Sequence, residues 1–400
     1  MHNTVIFWIQ MKVYLDNGTT TPVAREVLDA MLPYFTERFG HPIFLYSLGQ
    51  EAADAIEKSQ AAIARTVNAK PDEIIFTSGA TEANDIAIRG VVYANRKHGD
   101  HIITTKIENP SILRVCEQLE REGFKVNYLP VDNQGFIDLD QLEKTITERT
   151  LLVSVANVND EIGTIEPVED IGKILAEYKH KIFFHVNAAA GYARVPIDVE
   201  RARIDLMSLS AHKIHGPKGV GVFYLRENTP IEPTIHGYIS LFTLKPGTEN
   251  VPGIVGFGKA AELAFNGFER HVEHMRKLRD MFITGIEERV PHVTLNGPRG
   301  EKRSPANVNY SFKGVEGESV LLHLDLNGIS VATGSACSTR KLEPSHVMTA
   351  IGVKPEVAHG SIRFTLSRYN TEEEIDYVLD VIPRVIKNLR KISPVKPEEL

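Results

Sequence analysis

The chain contains the stretch FTSGATEAND at residues 76–85, where an apolar strand pattern meets a turn of small residues and then an amphipathic helix pattern. A helix leaves its first backbone N–H groups without intrahelical partners. The amides of Gly79, Ala80 and Thr81 can therefore bind a phosphate group, helped by the helix dipole. Taken alone, such a turn is more often a plain connection between a strand and a helix.

Strand and helix patterns alternate around this turn, from about Pro22 to Tyr224. This alternation predicts an α/β fold, and several strand patterns are apolar throughout, as buried parallel strands are. Amphipathic segments beginning at Ala80, Asn109 and Val168 predict crossover helices. The predicted strands are residues 73–78, 101–106, 125–131, 150–157, 181–187, 206–211 and 219–225.

The pattern changes after Asn250. A long helical pattern comes first, then short strand patterns, then a final helical pattern, and together they predict a smaller α+β domain. These segments are residues 258–290, 306–312, 361–367 and 371–391. We therefore expect a large domain over residues 13–255 and a small domain over 256–400. Residues 1–12 are expected to be an additional N-terminal segment, with Met11 as an alternative start to Met1.

The composition is that of an ordinary globular chain, with 42% hydrophobic and 24% charged residues in a length of 400. A formal charge of −7 provides no broad basic surface, so neither nucleic acid nor an anionic membrane is expected as a partner. Cys116 and Cys337 are too few for a disulfide framework and favour a reducing, cytoplasmic location. The apolar opening MHNTVIFWIQ lacks the features of a signal peptide or a membrane anchor.

A lysine lies in the stretch SLSAHKIHGPKGVG at residues 208–221, just after an apolar strand pattern. In α/β proteins the carboxyl ends of strands deliver side chains to a ligand-binding cleft. A single loop lysine is usually a solvated surface residue. Combined with the phosphate-binding turn, however, Lys213 suggests pyridoxal phosphate, whose aldehyde requires an amine and whose phosphate requires amides and hydroxyls.

These motifs resemble those of the cysteine desulfurase family of fold-type I pyridoxal phosphate enzymes, within the class-V aminotransferase group. The resemblance extends from about Val13 to Leu389. It implies the fold-type I transferase architecture, pyridoxal phosphate as the cofactor and no metal. The matching motifs are VYLDN, FTSGATEAN, NDEIGTI, SAHKIHGPKG, PGTENVPGIVGFG, TGSACSTRKLEPSHV and SIRFTLSRYNTEEEID.

The resemblance also implies how individual residues contact the cofactor. Lys213 would be the Schiff-base lysine, and Asn187 would occupy the position that faces the pyridine nitrogen. Asn109 would lie at the position that stacks on the ring, and Asn159 near the phenolic oxygen. The residues expected around the phosphate are Ala80, Thr81, Ser210 and His212, joined by Thr248 reaching across from a partner subunit of a homodimer.

Two further residues would act on the substrate. Arg363 matches the arginine that pairs with the substrate carboxylate, a role suited to the planar guanidinium group. Without the resemblance, Arg363 would be interpreted as a solvent-exposed charged residue on a strand. Cys337 lies in VATGSACSTR, a loop pattern without apolar periodicity, which favours a reactive thiol. In the family this cysteine accepts sulfur as a persulfide. Cys116, at a helical apolar position, is interpreted as a small buried hydrophobic residue.

Several positions depart from the family pattern. In HVNAAAGY, residues 185–192, Asn187 stands where the family has an acidic residue that would keep the pyridine nitrogen protonated. Ala190 replaces a glutamine, and Asn109 and Asn157 each replace a histidine. The pocket is therefore expected to differ from that of other family members, and the activity is expected to be reduced or altered.

The resemblance predicts an enzyme that takes sulfur from L-cysteine as a persulfide on Cys337 and releases alanine. The sulfur would go to an acceptor or iron–sulfur scaffold protein, for cluster or thio-cofactor assembly. The departures leave two alternatives open: a pyridoxal phosphate lyase or transferase retuned for another amino acid, or a weakly active or inactive assembly partner. The presence of both Lys213 and Cys337 argues against the latter.

Overall fold

The computed structural model describes residues 11–238, 241–334 and 344–400, which form one large sheet and two smaller ones. The strands in these ranges are β1 (Val13–Tyr14), β2 (Ile74–Thr77), β3 (His101–Thr105), β4 (Lys125–Leu129), β5 (Thr150–Ala156), β6 (Phe183–Asn187), β7 (Leu206–Ser210), β8 (Gly221–Leu225), β9 (Val293–Leu295), β10 (Asn307–Phe312), β11 (Ile329–Ser330), β12 (Ala332–Thr333) and β13 (Ser361–Thr365).

The helices connect and cover these strands. They are α1 (Arg25–Met31), α2 (Pro33–Thr36), α3 (Ser47–Val67), α4 (Ala80–Asn95), α5 (Pro110–Arg121), α6 (Leu139–Thr145), α7 (Val168–Ala176), α8 (Val251–Phe265), α9 (Phe268–Arg289), α10 (Gly317–Asp325), α11 (His346–Ala350), α12 (Pro355–Ala358) and α13 (Glu372–Ile392). Within the described ranges, no helix combines the length and apolar content needed to cross a membrane.

The large sheet has seven strands in the order β2-β8-β7-β6-β5-β3-β4. Its strand pairs are parallel except at β8, which runs antiparallel to both β7 and β2. Each of the seven predicted strand segments contains one of these strands, so the prediction of a mostly parallel α/β sheet is confirmed.

Helices cover both faces of the large sheet because its strands are apolar on both sides. On one face, Phe183 and Phe223 pack with side chains of α4 and α5 such as Ile86. On the other, Phe184 packs in a cluster that includes Phe257 of α8 and side chains of α3 and α7. Each large apolar side chain buried in this way contributes about 1.5–3 kcal/mol.

The C-terminal part has its own core around an antiparallel sheet of order β12-β13-β10-β9. Helices α9 and α13 pack against this sheet through residues such as Phe282 and Ile382. Strand β1 belongs to the same core, since it pairs in parallel with β11 and the adjacent Leu15 is fully buried there. The α+β character is as predicted, whereas the domain boundary at residues 255 and 256 stays a prediction.

The long helical pattern over residues 258–290 is two helices, which corrects the expectation of one continuous element. Helix α8 ends at Phe265 and α9 begins at Phe268. Between them Gly267 adopts a left-handed conformation with φ of 89°, which a helix cannot continue through. The apolar spacing runs across this break, so periodicity alone does not reveal it.

Candidate active site

A cavity of about 510 Å³ lies at the carboxyl ends of the central parallel strands, where it also meets the first turn of α4. This is the edge at which open α/β sheets bind their ligands. The predicted site residues that line it are Ala80, Thr81, Asn109, Asn159, Asn187, Ser210, His212 and Lys213. The structure therefore brings together residues that are up to 133 positions apart in the sequence, from Ala80 to Lys213.

One end of the cavity offers hydrogen-bond donors suited to a phosphate. The N–H groups of Ala80 and Thr81 open α4, and neither has an acceptor among the described residues. Ser210, at the end of β7, has its hydroxyl buried without a hydrogen-bond partner in the same part of the chain. A side chain at Gly221 would lie 2.6 Å from Gly79 Cα, so glycine is required for β8 to pass this close to the turn.

Lys213 follows β7 in a short 3-10 turn, and its amine donates a hydrogen bond to the carbonyl oxygen of Gly18. The pKa of Lys213 is lowered to about 8, chiefly by burial, with the positive charges of Arg363 and Arg194 adding to the effect and Asp160 opposing it. At pH 7 about one amine in ten is then neutral, compared with fewer than about one in a thousand for a solvated lysine. A neutral amine is the form that reacts with an aldehyde.

His212 lies beside the lysine, with Nδ1 at 3.2 Å from the hydroxyl of Thr20. Burial, reinforced by the cations Lys213 and Lys218, lowers the pKa of His212 to about 4. The imidazole is therefore neutral at pH 7 and adds no charge to a region that is already rich in cations.

Asn187 ends β6 with its amide on the cavity wall. Its Oδ1 accepts the N–H of Ala189 at 3.3 Å, which leaves Nδ2 without a partner among the described residues. The side chain thus presents an N–H donor to the cavity. An aspartate at the same place would present an acceptor and a negative charge.

Asn109 and Asn159 are both held by neighbouring groups. Asn109 caps α5 by accepting the N–H of Ser111 at 3.0 Å, and its Nδ2 donates to Asp160 at 3.2 Å. Asn159 donates to the carbonyl of Ile107 and accepts the N–H groups of the two residues after Asp160. These bonds fix the turn that carries Asp160 into the cavity.

Two of the described site residues that were predicted do not line this cavity, Arg363 and Thr248. Arg363 lies on β13, where it pairs with Asp16 at 3.2 Å and donates to the carbonyl of Asp160 at 3.2 Å. Its Nε is buried without a partner among the described residues. Thr248 is exposed beside a separate cavity of about 100 Å³ that shares Ser78 and Gly219 with the main one. Cys337 lies outside the described residues.

Sequence reasoning missed several residues that the structure places around the lysine. They are Gly18 and Thr20 in the loop after β1, Asp160 beside Asn159, and the buried Arg194. A usable signal was present only for Asp160, because it lies inside the quoted motif NDEIGTI.

Glu161, also within that motif, contacts the residues that flank positions 335–343. Its Oε2 accepts the hydroxyl of Ser345 at 2.6 Å, and a side chain on Gly334 would lie 2.5 Å from its Oε1. Glu161 belongs to a group of buried glutamates behind the cavity whose pKa is raised by burial, to about 7 for Glu161 and Glu108 and to about 8 for Glu166.

Comparison with known proteins agrees with this geometry. Residues 13–378 match the family described as Aminotransferase class-V. The chain is 50% identical over 390 residues to cysteine desulfurase IscS of Dictyoglomus turgidum, covering 98% of each chain. A solved NifS-like protein superposes with a TM-score of 0.89 at 38% identity, covering 95% of this chain and 100% of that one. SspA in complex with cysteine gives a TM-score of 0.78 at 34% identity, covering 90% and 100%.

The fold is that of the class-V, fold-type I enzymes that depend on pyridoxal phosphate. Within this class, the chain belongs to the cysteine desulfurase family.

The residues present fit pyridoxal phosphate. The unpaired Ser210 hydroxyl and the open amides of Ala80 and Thr81 suit its phosphate, and the amine of Lys213, with its lowered pKa, suits its aldehyde. Two lysines, Lys213 and Lys218, and two carboxylates, Asp160 and Glu82, line the cavity among the described residues, so their charges balance. The phosphate is therefore favoured by the open amides and the hydroxyl at the start of α4 and the end of β7, and not by a net positive charge of the lining.

We predict that borohydride traps pyridoxal phosphate on Lys213, and that Lys213→Ala abolishes the adduct. Because only the neutral amine reacts, the rate of cofactor loading should rise roughly tenfold from pH 6 to pH 7 and level off above about pH 8. Absorbance during reloading of the apoprotein gives the rate, and mass spectrometry of the trapped peptide gives the site. An adduct on another lysine would refute the assignment.

We also predict that Glu166→Gln removes part of the pH dependence of stability. The pKa of Glu166 is raised from 4.5 to about 8 in the folded protein. Between these two pH values the folded protein keeps a proton on Glu166 that the unfolded chain has lost. The free energy of unfolding of the native sequence therefore falls with rising pH, by up to roughly 1.4 kcal/mol per pH unit from this group. Denaturant unfolding at pH 5 and pH 8 should show the variant gaining relative stability at pH 8. The exposed Glu177→Gln serves as the control, and an equal pH response in both variants would contradict the account.

Proposed function

We propose that this chain is a cytoplasmic cysteine desulfurase that takes sulfur from L-cysteine as a persulfide on Cys337 and releases alanine. The observation that carries the proposal is the convergence of Lys213 and seven other predicted cofactor-contacting residues on one cavity. The 50% identity to a cysteine desulfurase over nearly the whole chain supports the same activity. The structural likeness to SspA, a protein solved with cysteine, supports that substrate.

The overall reaction balances without an external oxidant. L-cysteine and the Cys337 thiol give alanine and a Cys337 persulfide, as the carbon–sulfur bond of the substrate breaks and a sulfur–sulfur bond forms. When bound, pyridoxal phosphate supplies a ring that accepts electron density from the α-carbon of the substrate. With a pKa of about 8, the amine of Lys213 serves near neutral pH as the base that takes the α-proton.

Arg363 is proposed to bind the substrate carboxylate. Its guanidinium already bonds Asp16, Thr19 and the carbonyl of Asp160, while Nε has no partner among the described residues. A substrate carboxylate that engages this arginine therefore competes with Asp16 for it. Release of Asp16 would leave the guanidinium free for the bidentate pairing that carboxylates favour.

We further propose that the protein acts as a homodimer that delivers sulfur to an acceptor or iron–sulfur scaffold protein. A cluster of exposed apolar side chains on α2 and the segment after it supports the dimer, because a surface of this kind usually meets another chain. Its members are Phe35, Phe39, Phe44, Leu45 and Tyr46, of which Leu45 is 90% exposed. Thr248 is also exposed, as a residue reaching into a partner's site requires.

A second candidate is an enzyme of the same class that acts on another amino acid. Asn109 favours this candidate, because its bonds to Ser111 and Asp160 hold a non-aromatic side chain at the position expected to stack on the cofactor ring. Ala190, which also lines the cavity, contributes no polar side chain to it. Alanine and sulfide measured after addition of L-cysteine separate the two candidates.

The two cysteines are expected to behave differently. Cys337→Ser should retain the cofactor but lose persulfide formation with L-cysteine, whereas Cys116→Ser should keep both. Cys116 is fully buried in α5, and burial raises the pKa of its thiol to about 12, so almost no reactive thiolate is present. Mass spectrometry of peptides after treatment with L-cysteine and thiol alkylation locates the sulfur. A persulfide on Cys116 would overturn the assignment.

Asn187→Asp is expected to speed the chemical step. The amide offers an N–H donor, which pairs with an unprotonated ring nitrogen, whereas a carboxylate would hold a proton there and make the ring a stronger electron acceptor. Each tenfold gain in rate corresponds to about 1.4 kcal/mol of barrier. Single-turnover alanine formation at matched cofactor occupancy measures the gain. A wild type that is already fast, with no gain in the variant, would show that the amide is no handicap.

A further inference from the structure

Arg194 is a buried cation that touches three separate segments around the lysine, and only 7% of its surface is exposed. Its Nη1 donates to the carbonyl of Ala190 at 3.1 Å. Its Nη2 donates to the carbonyl of Asn17 at 3.3 Å and to that of Lys213 itself at 3.0 Å. One guanidinium thus joins the loop after β1, the loop after β6 and the turn after β7.

The charge of Arg194 has no carboxylate partner among the described residues. Burying a charge in this way is costly unless dipoles or counter-charges compensate it. Burial and the nearby Arg368 and Arg363 lower the pKa of Arg194 to about 10, so it still carries a full charge at pH 7. Three carbonyl dipoles compensate part of the cost, and an anionic ligand in the adjacent cavity would compensate more.

We propose that Arg194 is a positioning residue that fixes the main chain at Lys213 against the loops of Asn17 and Ala190 and holds a positive charge beneath the amine. The proposal rests on the proposed function only in that Lys213 is the cofactor-binding amine. The three hydrogen bonds of Arg194 position the main chain, and its unpaired charge affects the protonation of Lys213. Different substitutions can separate these two roles.

The geometric role follows from the partners. The Gly18 carbonyl accepts a hydrogen bond from the Lys213 amine. Arg194 donates to the carbonyl of Asn17, the residue before Gly18, and so holds this acceptor in place. The bond to the Ala190 carbonyl holds the loop that begins at Asn187. Loss of these bonds would let the lysine and its surroundings shift relative to one another, and small misplacements of reacting groups are costly in rate.

The electrostatic role follows from the charges that face the lysine. Asp160 and Asp16 favour its protonated form, while Arg363 and Arg194 disfavour it. The neighbouring imidazole of His212 is neutral at pH 7 because its pKa is lowered to about 4. Removal of Arg194 would therefore leave the two aspartates opposed by Arg363 alone, and the lysine would hold its proton to a higher pH.

Lysine and methionine substitutions separate the two roles. An ammonium group keeps the charge but is a point donor on a flexible stem and does not reproduce the guanidinium fork, whereas methionine removes both. The matched control is Arg368→Met. Arg368 lines a small cavity together with Arg194, but it donates its hydrogen bond to the hydroxyl of Tyr369 and not to the three carbonyls.

The experiment compares the wild-type holoenzyme with Arg194→Lys, Arg194→Met and Arg368→Met. Absorbance between pH 6 and pH 10 gives the midpoint for protonation of the lysine-bound cofactor, and circular dichroism of the cofactor band reports its orientation. Arg194→Met should raise the midpoint by about one pH unit and change the dichroism. Arg194→Lys should keep the midpoint but change the dichroism and lower kcat about tenfold with little change in KM. Arg368→Met should match the wild type.

Unchanged dichroism and kcat in Arg194→Lys would overturn the positioning role, and an unchanged midpoint in Arg194→Met would overturn the electrostatic role. If the methionine variant does not fold, Arg194→Gln replaces it for the midpoint. The spectroscopic readouts stand even if L-cysteine proves not to be the substrate, and kcat is then measured with the amino acid that is turned over. A trapped adduct on a lysine other than Lys213 would refute both the proposed site and the role of Arg194.

Discussion

Parallel pairing of β5, β6 and β7 is the constraint on which the site depends, because it brings their carboxyl ends to one edge of the sheet. In this register Asn187 lies between Ala156 of β5 and Ser208 of β7, so residues at the ends of the three strands become neighbours. The first turn of α4 meets the same edge and adds its open amides. Apolar packing on both faces holds this arrangement rigid, since the sheet is buried between two layers of helices.

Burial then determines the chemistry of the groups at that edge. It lowers the pKa of Lys213 and His212 and raises that of the glutamates behind them, so each group is shifted toward its neutral form. Arg194 is the exception, since no shift of this size discharges a guanidinium at pH 7. Arg194 therefore keeps its positive charge close to a lysine that must lose its proton to react.

The large sheet, the phosphate-binding turn and the lysine could be predicted from local patterns in the sequence, whereas the other cavity residues were implied by the family resemblance. Strand ends such as Asn187 and Ser210 converge as soon as the strands are parallel, and the turn before Ala80 opens at the same edge. Contacts between loops could not be predicted in this way. Arg194 and Asn17 are 177 residues apart in the sequence, and no periodicity records that their loops meet. The break at Gly267 was hidden for a related reason, since apolar spacing continues across it.

The pairing of β1 with β11 has a consequence for how the molecule unfolds. Strand β1 lies in the C-terminal core, and a few residues later Gly18 and Asn17 hydrogen-bond Lys213 and Arg194 in the other core. The two cores are therefore tied together at the active site, so melting the smaller one would release the loop that contacts the lysine. By thermodynamic linkage, a ligand bound there stabilises both halves at once, and heat should unfold the loaded protein in a single cooperative transition.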